Sequence, residues 1–158
     1  MEVRELMSAP VATLTIDDTL NCAAKMMHDL GIGCVPIVDR HGLLVGILTD
    51  RDLALAGYEI GEAFWKLRID GSMTKPVHTC RADDDLAIAA QAMRAHRVRR
   101  LPVVDAAGKP LGLISLDDLT HASRQPILDP TPGLTCDEIA GLYEATSGRT
   151  KQSQDGQG

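Results

Sequence analysis

The sequence predicts an α/β fold of the α+β type, with two tandem β-α-β-β-α units forming one pseudo-two-fold module. Three observations predict it. Shifted by 66 residues, positions 7–56 lie over positions 73–122 without a gap, and 18 of the 50 pairs are identical. Each copy carries an apolar stripe at helical spacing, and each carries two short apolar runs joined by an Asp-x-x-Gly turn.

The elements follow in the same order in both copies. Residues 11–14 and 77–80 are short extended runs after Pro10 and Pro76. Asp17 and Asp83 then stand where a helix N-cap is wanted. Leu20, Ala23, Ala24, Met27 and Leu30 form the stripe of the first helix, and Leu86, Ala89, Ala90 and Met93 that of its counterpart. The apolar runs 35–38 and 101–104, each with a Pro at its second position, lead through Asp39–Gly42 and Asp105–Gly108 turns into returning strands at 44–48 and 111–114. Gly42 and Gly108 supply the positive φ such turns need. A second helix begins near Thr49 or Ser115, whose hydroxyls suit a cap.

Composition limits the function. The 158 residues are 44% apolar and only 3% aromatic, so the core is built from Ala, Val, Ile, Leu and Met. A net charge of −6 argues against nucleic acid as a partner, because phosphate neutralisation needs clustered Lys and Arg. The sequence shows neither a membrane span nor a signal-peptide pattern, and the expectation is a cytoplasmic protein without membrane contact. Cys22, Cys34, Cys80 and Cys136 lack metal-ligand spacing and read as small buried hydrophobes.

The expected organisation is a first unit over 1–60, a linker and second unit over 61–124, and a tail over 125–158. Neither unit buries enough surface to be comfortable alone, so two sharing one body is the economical solution. Tyr58, Phe64 and Trp65 are expected to pack over the sheet edge between the units. In the tail, residues 137–146 suit a short helix and 147–158 suit disorder.

At the returning strands the likeness to a family becomes specific. Gly46-Ile47-Leu48-Thr49-Asp50-Arg51-Asp52 and Gly112-Leu113-Ile114-Ser115-Leu116-Asp117-Asp118 match the Gly-h-h-Ser/Thr-x-x-Asp ending of cystathionine-beta-synthase (CBS) domains, h being apolar. With the Pro-Val/Ile-Val-Asp strands, the chain resembles a tandem CBS pair, similar to small stand-alone bacterial proteins of that kind. The resemblance implies an adenosine-containing ligand (AMP, ADP, ATP or S-adenosylmethionine) between the copies. It implies that Asp52 and Asp118 hold ribose hydroxyls and that Thr49 and Ser115 lie near phosphate. It further implies that Arg99 and Arg100, before the Pro of the second copy, serve the cleft of Asp52, which has Arg51 on its own helix. The cleft of Asp118 would then face Gly33 and Cys34 and lack an arginine. The Asp52 cleft is therefore the preferred one for a phosphorylated adenosine ligand, and the Asp118 cleft is expected to be empty or to take something less charged. The alternatives are that Thr49, Ser115 and both Asp residues only cap helices, and that Arg97, Arg99 and Arg100 form a solvated or ion-paired edge.

No nucleophile–base pair, phosphate loop or metal spacing is present, so neither catalytic nor metal residues are assigned and no enzyme is expected. The resemblance implies a regulatory module with an adenine nucleotide as ligand, no fixed cofactor, a homodimer, and an effector protein of unknown identity. The alternative is a dimerisation module that binds no ligand.

Overall fold

The computed structural model describes residues 1–124 and 136–146; the expected disorder at 147–158 and the prolines at 126, 130 and 132 lie outside the described residues. The first unit is β1 (Leu14–Thr15), α1 (Leu20–Leu30), β2 (Cys34–Val38), β3 (Leu44–Thr49) and α2 (Asp50–Glu59). The second is β4 (Cys80–Arg81), α3 (Leu86–His96), β5 (Arg100–Val104), β6 (Pro110–Ser115) and α4 (Leu116–Arg124). The helix α5 (Cys136–Thr146) follows, close to the predicted 137–146. Each unit has a three-stranded sheet, β1-β2-β3 or β4-β5-β6, with a parallel outer pair and an antiparallel hairpin. This is the predicted β-α-β-β-α order, twice.

The central strands carry Pro36 and Pro102, residues usually excluded from such a place. Ile47, opposite Pro36, spends both backbone groups on Thr74, at 3.1 and 2.8 Å, so the Pro stands in a non-hydrogen-bonded pair. Its nitrogen faces the side where β1 pairs only from Ile37 onward. Pro102 repeats the arrangement, because Leu113 opposite it bonds to Ser8.

Those bridges reveal an exchange. The segment before the first unit packs on the second: Val3 is fully buried among Leu86, Met93, Leu101 and Ile114, and the Val3 and Arg4 N–H groups donate to Asp84 and Ala82. The segment before the second unit packs on the first: Ile69 is fully buried among Leu20, Ile37 and Leu48, and its N–H donates to Asp18. Each unit is therefore completed by the lead-in segment of its sibling. Single 3-10 turns at Val3–Glu5 and Ile69–Gly71 occupy matching places 66 residues apart.

Two expectations need correction. The caps of α1 and α3 are Thr19 and Asp85, two residues beyond the expected Asp17 and Asp83, which instead form exposed ion pairs with Arg68 and Arg81. Asp18 is consumed by the preceding turn, where it accepts from the Thr15 N–H, and that pushes the cap onward. Of the linker aromatics, only Phe64 packs on the first core; Tyr58 and Trp65 are 88% and 68% exposed. α5 lies on α3 and α4, where Leu142 joins the second core. Among the described residues no helix is long and apolar enough to cross a membrane.

Candidate functional site

The two motif endings fold into the same local device. In α2 the Thr49 hydroxyl accepts from the Asp52 N–H at 3.2 Å, and Asp52 Oδ2 accepts from the Thr49 N–H and hydroxyl at 2.7 and 2.8 Å. In α4 Ser115 and Asp118 repeat it at 3.2, 2.8 and 2.7 Å. This is a reciprocal capping box with Asp in the third position. It consumes Oδ2 of each carboxylate and both functions of each hydroxyl. Both hydroxyls donate to the carboxylates in this state, and Ser115 lines the cavity beside Asp118. Oδ1 remains for a ligand, and its two lone-pair sites suffice for a pair of adjacent hydroxyls.

A cavity of about 340 Å³ opens beside Asp118. It is lined from the second unit by Arg100, Leu113, Ser115 and Asp118. From the first unit come the backbone-rich stretches Ser8, Pro10, Val11, Ala12 and Leu30–Cys34. The volume falls in the lower range of small-molecule sites. The stretch around Pro10 reaches the cleft because Ser8 and Leu113 are bonded to each other across the units. Gly112 permits that approach, since a Cβ there would stand 2.8 Å from the Ser8 carbonyl oxygen.

The placement of Arg100 corrects the expected distribution of charge. Gly33 and Cys34 do face the Asp118 cleft, but Arg100 lines that cleft with them, so it does not lack an arginine. The Arg100 guanidinium stands 3.6 Å and the Asp50 carboxylate 3.1 Å from where a Cβ on Gly33 would be. Arg99, equivalent to Gly33 in the repeat, places its guanidinium over the Tyr143 ring of α5, 5.8 Å from the centroid. Arg51 is exposed on the first turn of α2, and its N–H donates to Asp50 Oδ1.

Asp52 lines another pocket, of about 170 Å³, with Leu55, Ala56, Glu59, Ile60, Gly71 and Ser72, and its Oδ1 receives a long bond, 3.5 Å, from Thr74. Asp118 Oδ1 has no such neighbour bonded to it among the described residues.

Neither buried thiol is activated. Burial pushes the Cys34 thiol above its ordinary value, with nearby Arg100 pulling it down and Asp50 up. Burial and Asp84 push Cys80 up to about 12. Both stay protonated near neutrality, as small hydrophobes. Cys22, expected to be buried, is exposed. Among the described residues no cluster of His, Cys, Asp and Glu could hold a metal ion.

Sequence reasoning missed Ser8, Pro10, Val11, Ala12 and Leu30–Ile32 as cleft walls. The signal available was the Pro10/Pro76 identity, which marks a segment under the same constraint in both copies.

The model of the CBS domain family matches residues 3–59 and 67–125. The uncharacterized protein YlbB of Bacillus subtilis is 35% identical over 124 residues, which cover 78% of this chain and 82% of that protein. A homoserine O-acetyltransferase of Methanosphaerula palustris is also 35% identical, over 121 residues, but the match spans only 23% of that enzyme's length and 75% of this chain. Among solved structures, the CBS domain pair of protein MJ0100 in complex with 5′-methylthioadenosine and S-adenosyl-L-methionine superposes with a TM-score of 0.71 at 30% identity, covering 77% of this chain and 94% of that one. CBSX2 in complex with AMP gives 0.67 at 25% identity, over 78% and 96% of the two chains. Hypoxic Response Protein I with two coordinated zinc ions gives 0.69 at 26%, over 77% and 98%.

Proposed function

From the fact that the chain belongs to the CBS domain family, we propose that it is a regulatory module which binds one adenosine-containing ligand in the Asp118 cleft and signals through a partner. The observation that carries this is the joining of Asp118, Arg100 and the Pro10 segment around one cavity. Asp118 Oδ1 accepts the two ribose hydroxyls. Apolar Val11, Ala12, Leu30 and Ile32 suit the faces of a base, and Arg100 offers charge to a phosphate or carboxylate. The α4 N-terminus adds to this, because Leu116 stands where α2 has Asp50, whose carboxylate covers the next N–H. The MJ0100 pair and CBSX2, with their adenosine compounds, support the ligand class. This shifts the preferred cleft from Asp52, Arg51 and Arg99 to Asp118 and Arg100.

Titration calorimetry with AMP, ADP, ATP and S-adenosylmethionine tests the proposal. Binding should be lost in Asp118→Ala and weakened in Arg100→Ala, which leaves the cap intact, and kept in Asp52→Ala. Retention in Asp118→Ala with loss in Asp52→Ala assigns the other cleft. Failure of every ligand favours the ligand-free alternative.

Self-association belongs to the same proposal. α5 covers α3 and α4, whereas Leu55, Tyr58 and Ile60 on and just beyond α2 are exposed. A homodimer through the first unit would cover them. Sedimentation of Tyr58→Glu should then show monomer.

A further inference from the structure

The 66-residue register carries the wall of the Asp118 cleft onto the wall of the Asp52 cleft. Ser8 becomes Thr74, Pro10 becomes Pro76, Leu113 becomes Ile47, and Ser115 and Asp118 become Thr49 and Asp52. The backbone bridges confirm that the frame is shared, since Ser8 bonds Leu113 as Thr74 bonds Ile47. Six positions change in character: Gly31, Gly33 and Cys34 become Arg97, Arg99 and Arg100, and three others bear on the entry of a base. Arg100 becomes Cys34, buried and held in its neutral form, while Ala12 and Leu30 become His78 and His96.

Those two histidines touch. Their ring centroids are 3.4 Å apart and their planes lie within 7° of parallel. Ala12 and Leu30 both line the open cavity, so the gap between their counterparts is where a flat ring would enter the second cleft. A ring sandwiched between the imidazoles needs them about 7 Å apart, twice the ~3.5 Å contact distance. They stand at half of that. The position of Arg100 is filled there by the uncharged Cys34, and the Arg99 guanidinium is over Tyr143.

We propose that the stacked His78 and His96 rings close the Asp52 cleft to a planar base, making the chain a one-site binder by side-chain choice rather than by fold. The inference rests on the proposed adenosine site at Asp118 and adds its stoichiometry. His96 ends α3 and is exposed, and His78 sits two residues before β4 and is half-buried, so neither is a core residue whose replacement threatens folding.

The experiment transplants the open pair. His78→Ala/His96→Leu gives the second cleft the residues of the first, and His96→Ala alone serves as a milder variant. Calorimetry with AMP and 5′-methylthioadenosine reads the number of sites per chain. The native chain should bind one equivalent. The double variant should bind two, and the added site should vanish when Asp52→Ala is included. Two sites in the native chain, or one site in both variants with thermal unfolding unchanged, overturns the closure. Binding by the double variant alone, lost with Asp52→Ala, upholds the closure while refuting the Asp118 site. No binding by any of these chains refutes the ligand proposal and the closure with it.

Discussion

Ser8 and Leu113 exchange two backbone hydrogen bonds, at 2.9 and 3.0 Å, and so fasten the start of the chain to the central floor of the second unit's cleft. The contact leaves no room above Gly112, where an added Cβ would meet the Ser8 carbonyl oxygen at 2.8 Å and Met7 Sδ at 2.9 Å. At Gly46, its counterpart, the three nearest atoms all belong to the Met73 side chain. A thioether can rotate aside, but a bridged carbonyl cannot. Gly112→Ala should therefore cost about 1–3 kcal/mol and Gly46→Ala less. Urea unfolding of the two variants checks the order. Equal losses would mean that the Ser8 bridge yields.

The exchange of lead-in segments makes the first residues of the chain part of the second core. Val3 and Ile69 are both fully buried, each in the unit opposite in sequence. Ile69→Ala should cost about 2–5 kcal/mol, and Val3→Ala about two-thirds as much, in proportion to the side-chain carbons lost. The localisation is the sharper test. Val3→Ala should speed hydrogen exchange in α3 and β5 rather than in α1 and β2. Faster exchange in the first unit would contradict the packing.

The helices α1 and α3 end alike but with different residues. Gly31 adopts φ +63° with nothing near its Cβ position, and Arg97 adopts φ +54° at the matching place. A side chain in the left-handed region costs about 1 kcal/mol. Gly31→Ala should lose that amount, and Arg97→Gly should gain up to as much, offset in part by the flexibility glycine adds to the unfolded chain. Thermal melts of both variants test it, and a stabilised Gly31→Ala would be the contrary result.

The two hairpins and the Thr49 and Ser115 caps were legible in the sequence because side-chain periodicity and turn chemistry are local. The first strands, expected at 11–14 and 77–80, begin three residues later. The exchange was not legible. Its pairs, from Met1/Leu67 to Leu6/Ser72, share no identical residue, and the backbone bonds that hold them leave no side-chain signature. Three adjacent residues, Asp17, Asp18 and Thr19, could each cap α1; the Thr15–Asp18 bond decides among them and forms only once the turn is folded. Of the site, Asp52 and Asp118 were found from their motif, whereas the destination of Arg100, beside Gly33 and Cys34 of the other unit, is a contact between residues distant in sequence. Chain order shows which residues exist for a cleft. Which side chain enters it is decided across the pseudo-axis.

The tail helix is tied down by two kinds of contact. Leu142 is 2% exposed in the second core, and the Tyr143 hydroxyl donates to Asp117 at 2.6 Å while Arg99 lies over its ring. Leu142→Ala should release α5 at a cost of about 2–5 kcal/mol. Tyr143→Phe, losing one partly exposed hydrogen bond, should cost about 0.5–1.5 kcal/mol. Limited proteolysis reads the docking directly, and cleavage in the tail should rise strongly for the first variant and slightly for the second. A reversed order would place the anchor in the Tyr143 contacts.

Acid stability should depend on the two hairpin turns. Asp39 Oδ1 accepts from the Leu43 and His41 N–H groups, and Asp105 Oδ1 from those of Lys109 and Ala107, at 2.8–2.9 Å. These bonds favour the ionised form and hold both carboxyls below the ordinary aspartate value. A carboxyl lowered in the folded state stabilises it at every pH above the unfolded value, about 3.9, and the contribution disappears as pH falls through the folded value. Stability should thus be level from neutrality to about pH 5 and fall below about pH 4. Asp39→Asn/Asp105→Asn keeps the turn acceptors but removes the titration, so its acid limb should be shallower. It should not be flat, because Asp85, bonded to the Ala87 N–H at the start of α3, is lowered in the same way. Urea midpoints measured from pH 7 to pH 2.5 compare the two proteins. An unchanged acid slope in the double variant would place the titrating groups elsewhere.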